Sequence, residues 1–192
     1  MAKRRSWARF SLRTLIVMTL VASFAFGWLG MLKERGKKRA EAIEAIRAKG
    51  GTVHYKIERP VVTSSTPTWY QSIDKFVRKQ LGNDAIDEVK AINLFAKQID
   101  VFDLRYLEPF PELEILHLGM NRIDDEDLTH LPSFRKLRVL TLQITRVTDE
   151  GLPELHRFRT LERLILPSDG EQVSEAAIVR LRKALPNCDI EQ

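Results

Sequence analysis

The chain has 192 residues, a formal net charge of +5 and a single cysteine. Its length corresponds to one domain, or one domain with an appendage, and one cysteine excludes an internal disulfide. A basic chain invites a nucleic-acid interpretation, but the charge is unevenly divided: residues 1–13 sum to +5, residues 33–59 to +5 and residues 60–192 to −5. The basic character therefore belongs to the first third of the chain, and no nucleic-acid partner is expected.

An uncharged run of 19 residues extends from Thr14 to Leu32. As a helix that rises 1.5 Å per residue, this run would span about 28 Å, close to the ~30 Å hydrocarbon core of a bilayer. The pattern predicts a basic tail at residues 1–13 and a transmembrane helix at residues 14–32, with Trp7 and Trp28 near the two membrane interfaces.

A cleaved signal peptide and a buried core helix are the alternatives. The stretch Phe24-Ala25-Phe26-Gly27 lacks the small residues that cleavage requires. A helix that is apolar all round is difficult to cover in so short a chain. The transmembrane interpretation is therefore favoured over both.

The orientation of this predicted helix follows less directly from charge. Both flanks are positive, with five Lys/Arg in the tail and seven in residues 33–49. Translocation of the basic tail would be unfavourable, which favours a cytoplasmic amino terminus. A single-pass membrane protein with the remainder on the non-cytoplasmic side is the expectation. The basic flanks could also attract anionic lipid headgroups, but simple stop and anchor signals are the favoured interpretation.

The segment at residues 33–68 is predicted to contain a juxtamembrane helix, a short strand and a linker. Residues 34–49 are rich in helix formers, and Gly50-Gly51 would end the helix. Alternation over Thr52–Glu58 predicts the strand, and the prolines of residues 59–68 indicate the linker. Apolar residues then recur at helical spacing from Trp69 to Leu81, which predicts an N-terminal capping helix within residues 69–88.

A 24-residue repeat occupies the rest of the chain. The frame LxxLxLxx(N/T/D)xI begins at Val89, Leu113, Leu137 and Leu161, and seven columns of this frame are apolar in all four units. Leucines at positions 4 and 6 predict a short strand with one buried face. Position 9, where a side chain would bond to the turn backbone, is held by Lys97, Asn121, Thr145 and Asp169. Position 12 holds the helix N-cap types Asp100, Asp124, Thr148 and Ser174.

These units resemble the leucine-rich repeat family, and Leu137–Leu152 matches the subgroup L-x-x-L-x-L-x-x-T-x-V-T-D-x-x-L. Short proteins with a basic transmembrane anchor before such units are common in some bacteria, and this chain resembles them. The resemblance implies an α/β solenoid of short parallel strands and outer helices over residues 89–192, with about four units and a C-terminal cap.

Two departures from the family pattern stand out. Lys97 cannot accept a hydrogen bond at position 9, and a two-residue insertion at Gly170-Glu171 predicts a bulged turn. A helix at Ala177–Leu185 and a truncated strand at Asn187–Ile190 would close the array. Cys188 is expected to pack there as a small apolar residue.

The resemblance also implies that partners bind on the strand (concave) face, which positions 3, 5 and 7 would form. The twelve residues at these positions are Ala91, Asn93, Phe95, Ile115, His117, Gly119, Val139, Thr141, Gln143, Arg163, Ile165 and Pro167. Arg163 alone is charged, so an apolar patch of the kind found at interfaces is one interpretation. Exposed β-branched residues that simply favour strands are the other. The predicted partner-binding residues are Phe95, Ile115, His117, Val139, Thr141, Gln143, Arg163 and Ile165.

No catalytic, cofactor-binding or metal site is predicted. The histidines His54, His117, His130 and His156 lack metal-ligand spacing, and the run Asp124–Asp127 lacks the glycine and distal glutamate of a calcium loop. The sequence also contains no phosphate loop, no G-x-S-x-G and no CxxC. We therefore expect no enzyme and no cofactor.

The expected function is a membrane-anchored module for protein–protein interaction that binds a protein or peptide partner. One alternative is a structural or self-associating scaffold of a membrane complex, which includes a homo-oligomer. The other is a nucleic-acid or lipid effector that acts through residues 33–59.

Overall fold

The computed structural model describes residues 12–55, 87–168 and 172–192. A long helix, α1 (Leu12–Ala48), leads into a six-stranded sheet whose strand order follows the chain. The strands are β1 (Thr52–Tyr55), β2 (Val89–Asn93), β3 (Ile115–His117), β4 (Val139–Thr141), β5 (Arg163–Ile165) and β6 (Asp189–Glu191). β1 pairs antiparallel with β2, and β2 to β6 are mutually parallel. The fold is mixed α/β, as predicted.

α1 changes character along its length. It is long and apolar enough to cross a membrane, and its apolar side chains are exposed, up to 79% for Phe24. Its last turns are buried instead, at Ala42, Ile43 and Ile46. A single uninterrupted helix therefore contains both the predicted transmembrane span and the predicted juxtamembrane helix.

A tight turn at Gly50 and Gly51 returns the chain from α1 into β1. Gly50 has a φ of +77°, which a glycine adopts at no steric cost. A Cβ on Gly51 would lie 2.7 Å from the Leu94 side chain and 2.8 Å from that of Ile46. Glycine at this position therefore lets the helix end pack closely against the sheet. The predicted strand is confirmed at Thr52–Tyr55.

The parallel strands follow the 24-residue repeat in register. Ala91 lies opposite Ile115, Ile115 opposite Val139, and Val139 opposite Arg163. Arg163 pairs with Asp189, two residues later than the repeat spacing predicts. The insertion thus lies in the connection before β6, and the predicted bulge at Gly170-Glu171 falls outside the described residues.

Short helices lie behind the sheet, on the side opposite the open strand face. These are α2 (Val101–Leu104), a 3-10 turn (Arg105–Leu107), α3 (Asp125–Thr129), a 3-10 helix (Leu152–Arg157) and α4 (Glu175–Ala184). α4 begins two residues before the predicted helix start at Ala177.

Three of the four predicted capping residues cap a helix or its first turn. Asp124 accepts from the Asp127 amide while Asp127 accepts from the Asp124 amide, and Asp100 and Asp103 repeat this reciprocal pair. Ser174 accepts from the Ala177 amide at the start of α4.

Thr148 caps a turn that precedes the helix of its unit. Its hydroxyl accepts from the Glu150 amide at 3.3 Å, and the 3-10 helix begins later, at Leu152, with Gly151 as an N-cap that makes no side-chain bond. The Thr148 hydroxyl also donates to the Asp125 carboxylate of the preceding unit, at 2.6 Å. The same contact recurs one unit later, where Ser174 donates to Asp149 at 2.6 Å.

The apolar columns of the repeat form one core. Of their 28 positions, 27 are buried, and Ala184 is half-buried. Ala42, Ile43 and Ile46 of α1 join this core beside β2, and Cys188 packs against it as expected. The capping helix predicted from Trp69 to Leu81 falls outside the described residues. Among the described ones, β1 pairs with β2, and α1 packs against β1 and the 3-10 turn at Arg105–Leu107.

Position 9 of the second unit is a buried polar junction between two units. Asn121 is 5% exposed, and its amide nitrogen donates to the carbonyls of Leu94, Leu118 and Gly119. Its oxygen accepts from the amides of Lys97 and Ile99. Asn121 thereby supplies the acceptor that Lys97 lacks, as the repeat pattern predicted for this position. Thr145 makes one such bond, to the Leu142 carbonyl.

Candidate functional site

The open face of the sheet, called here the strand face, consists of rows of side chains that cross the strands. The first row is Ala91, Ile115, Val139, Arg163 and Asp189. The second row is Asn93, His117, Thr141, Ile165 and Glu191. β1 extends both rows because His54 lies opposite Ala91 and Thr52 opposite Asn93. The register therefore brings six of the eight predicted binding residues into these two rows, and Phe95 and Gln143 lie in a third row beyond the strand ends.

The middle of the first row is apolar. Ile115 and Val139 are direct neighbours, and both are partly exposed on the strand face. Phe95 lies beyond the end of β2, where Gly119 makes room for it. A Cβ on Gly119 would lie 2.9 Å from the Phe95 ring and 2.9 Å from the Gln143 Cγ. The glycine thus lets the Phe95 ring and the Gln143 side chain lie close together.

His117 occupies the centre of the second row. Its Nδ1 lies 3.1 Å from the Thr141 hydroxyl. Partial burial lowers the pKa of His117, and the nearby His54 lowers that pKa further. The ring is therefore neutral at pH 7. Thr141, a predicted binding residue, is 6% exposed, and its hydroxyl is engaged by His117.

Arg163 forms an ion pair and does not present a free charge on the strand face. Its Nε and Nη2 lie 2.9 Å and 2.6 Å from Glu191 Oε1. β6 brings two acids, Asp189 and Glu191, onto a face that was expected to be almost uncharged. The neighbouring strand therefore neutralises the arginine, and the acidic end of the face lies at β6.

A ladder of alternating charge crosses the strands at position 2 of each unit. Its members are Lys90, Glu114, Arg138 and Glu162. The Lys90 and Glu114 side chains are 2.7 Å apart, and the Arg138 guanidinium binds Glu162 through two contacts of 2.8 Å and 2.7 Å. This charge ladder borders the strand face where the strands begin. Sequence reasoning missed it, although the alternating sign at a fixed 24-residue spacing was visible.

Where the strands end, two apolar side chains project into solvent. Met120 is 47% exposed and Ile144 is 57% exposed. Both have left-handed backbones, with φ of +55° and +54°. This conformation is unfavourable for any residue except glycine, and most of all for a β-branched one. Ala96 has the same left-handed backbone, with a φ of +56°, at the equivalent position of the first unit, so the conformation belongs to the turn of the repeat.

Next to this apolar pair lie Arg122 and Arg146. Both are exposed, and within the described residues neither side chain has an ion-pair partner. Exposed apolar groups beside free cations suit a partner that combines apolar and acidic groups.

The described residues hold no group of three His, Cys, Asp or Glu side chains placed to bind a metal ion. His54 lies near His117, but two histidines do not make a group of three. The one thiol is poorly suited to nucleophilic chemistry, because burial raises the pKa of Cys188 to about 11.

Comparison of the sequence with protein-family models and with curated proteins finds no match.

Proposed function

We propose that this protein is a single-pass membrane protein of the leucine-rich repeat type that binds a protein or peptide on its strand face. α1 anchors it with a cytoplasmic amino terminus, and the repeats form a short solenoid on the non-cytoplasmic side. The 24-residue register of the strands and the burial of 27 repeat positions support the solenoid. No catalytic step is part of this proposal.

The observation that carries the proposal is the apolar surface left open on the sheet. Ile115 and Val139 lie side by side without a covering element among the described residues. Met120 and Ile144 continue this apolar surface past the strand ends, where Ile144 keeps an unfavourable backbone. A monomer gains nothing from exposing such groups, whereas a partner that covers them removes apolar area from water.

The test replaces residues on the strand face and on the opposite side of the fold. A photo-crosslinking amino acid at Val139 in the full chain should give a discrete adduct in the native membrane. The second variant combines Ile115→Glu with Val139→Glu, so its crosslinker is placed at Gln143 instead. This double replacement should abolish the adduct. The matched control is Val179→Glu on α4, which also introduces a charge at an exposed apolar position and should leave the adduct intact.

An adduct that persists in the Ile115→Glu, Val139→Glu variant would refute the strand face as the binding surface. The circular dichroism spectrum of both variants should match that of the unmodified chain, since the replaced side chains lie outside the core. The adduct mass also separates the alternatives, because a mass of two chains would indicate the self-associating scaffold.

A further inference from the structure

The path of the chain after α1 fixes the direction of the helix relative to the sheet. α1 ends at Ala48, turns at Gly50 and Gly51, and returns as β1. β1 is antiparallel to β2, and β2 to β6 are parallel. α1 therefore runs in the same direction as the parallel strands.

Contacts at both ends of the buried half of α1 agree with this direction. The Arg39 guanidinium lies 5.7 Å from the centre of the ring of Phe110, a residue that shortly precedes β3. It also interacts electrostatically with Glu88, which precedes β2. Ten residues later Lys49 reaches the other end, where its Nζ binds the Asp103 carboxylate at 2.9 Å. The apolar span of α1 thus projects beyond the end at which the parallel strands begin.

The distance from the membrane follows from helix geometry. Leu32 ends the apolar run, and Gly36, the first buried residue of the outer half, is four residues further on. At 1.5 Å per residue, this separation is about 6 Å, comparable to the thickness of one headgroup layer. No proline interrupts α1, so the helix passes stiffly from the span into the core. The sheet accordingly begins directly above the headgroups.

The bases of the surface turned toward the membrane come mainly from α1, whose residues 33–39 hold five Lys/Arg against one glutamate. We define the amino edge as residues 111–114, 135–138 and 159–162, which lead into β3, β4 and β5. Its four bases are Arg135, Lys136, Arg138 and Arg159, and salt bridges join the first two to Glu112 and Arg138 to Glu162. The acids Asp87 and Glu88 lead into β2 at the same edge. The Arg135 side chain is 79% exposed. Long basic side chains of this kind reach lipid phosphates from just above a bilayer.

We infer that the amino edge lies against the anionic headgroups of the membrane that α1 spans. The strand face then stands upright on the membrane and opens sideways, while Met120 and Ile144 point away from the lipid. This inference rests on the proposed function, because it requires α1 to cross the bilayer.

The test compares labels at opposite ends of the strands in the inserted full chain. Cys188→Ala removes the one native thiol, and Arg159→Cys or Arg146→Cys introduces a fluorophore at the amino edge or at the opposite edge. Both introduced positions are exposed and each replacement removes one arginine, so the charge change is matched. Arg135→Cys and Arg122→Cys form a second matched pair. The chains are placed in phosphatidylcholine nanodiscs that contain phosphatidylglycerol and a lipid with a nitroxide on its headgroup.

The nitroxide should remove about half of the emission at position 159 and about a tenth or less at position 146, because the six residue steps of chain from Arg138 at the amino edge to Ile144 at the opposite edge span up to about 20 Å. The orientation would be overturned if quenching were equal at the two edges or stronger at position 146. If that chain also resisted extraction by alkaline carbonate, the proposed anchor would remain intact. Release of the chain by alkaline carbonate would refute the anchor, and the inferred orientation with it.

Discussion

Removal of the Asn121 side chain should destabilise the fold more than any other single truncation of a polar residue described above. In Asn121→Ala, the amides of Lys97 and Ile99 lose their acceptor. The carbonyls of Leu94 and Leu118 lose a donor at the same time. The site is 5% exposed in the folded chain, so water cannot replace these bonds without opening the junction between two units.

The magnitude follows from the number of backbone groups left unpaired. A buried donor or acceptor without a partner costs about 1–3 kcal/mol, and partial entry of water reduces the cost per group. For two amides and two carbonyls, we expect a loss of about 3–5 kcal/mol in the free energy of unfolding. Thr145 occupies the same repeat position and makes one bond, so Thr145→Ala should cost about 1 kcal/mol.

Guanidinium unfolding of the full chain in detergent micelles, followed by circular dichroism, measures both losses. Asn121→Thr, which imports the side chain of the next unit, should fall between the two alanine variants. A destabilisation by Asn121→Ala within about 0.5 kcal/mol of that by Thr145→Ala would refute the reasoning, because the extra bonds would then contribute nothing measurable.

Three further predictions follow from single residues. Ile144→Asn should raise the free energy of unfolding by about 1 kcal/mol, because asparagine tolerates a φ of +54° far better than isoleucine. The same replacement should weaken the proposed partner binding. A destabilised variant would contradict the assigned strain. Cys188 should react with a maleimide at pH 8 on the order of a hundred times more slowly in the folded than in the unfolded chain, because burial raises the pKa of its thiol. Equal rates in the two states would contradict that burial. Hydrogen bonds from Ser174 lower the pKa of Asp149, so the stability they add is complete above the ordinary carboxyl pKa of about 4 and is lost as the pH falls through the lowered value. When the pH is lowered below 4, the melting temperature of Asp149→Asn should therefore fall less than that of the parent. Glu150→Gln is the control, because the Glu150 side chain has no hydrogen bond within the described residues. Its melting temperature should fall as much as that of the parent.

The repeat made most of the sheet predictable from the sequence. Leucines at positions 4 and 6 must face inward in every unit once the period is known, so the register of Leu116 against Leu140 needed no further information. Position 9 was equally predictable, because an amide such as that of Asn121 is one of the few side chains able to donate and accept at one buried junction.

Features that depend on pairing between distant segments were missed. His54 reaches the strand face only because β1 folds back antiparallel beside β2, and no local pattern encodes that return. Glu191 neutralises Arg163 for the same kind of reason. The bonds from Thr148 to Asp125 and from Ser174 to Asp149 join successive units. A capping interpretation confined to one unit assigned these hydroxyls to their own units and missed the bonds to the preceding one.

The buried face of α1 required the tertiary structure. Ala40, Ile43 and Ile46 lie at helical spacing, yet Ala40 is exposed, and Ala42 is buried beside Ile43 and Ile46. This half of α1 packs against β1 and against the 3-10 turn at Arg105–Leu107, which is distant in the sequence.

The charge ladder restricts how the number of repeats can change. Removal of one unit, residues 113–136, would place Lys90 beside Arg138, and like charges directly opposite one another destabilise a sheet. Removal of two units, residues 113–160, would place Lys90 beside Glu162 and restore an attractive pair. An array with this ladder gains or loses length without a charge clash only in steps of two units, so its natural building block is 48 residues long, twice the repeat visible in the leucines.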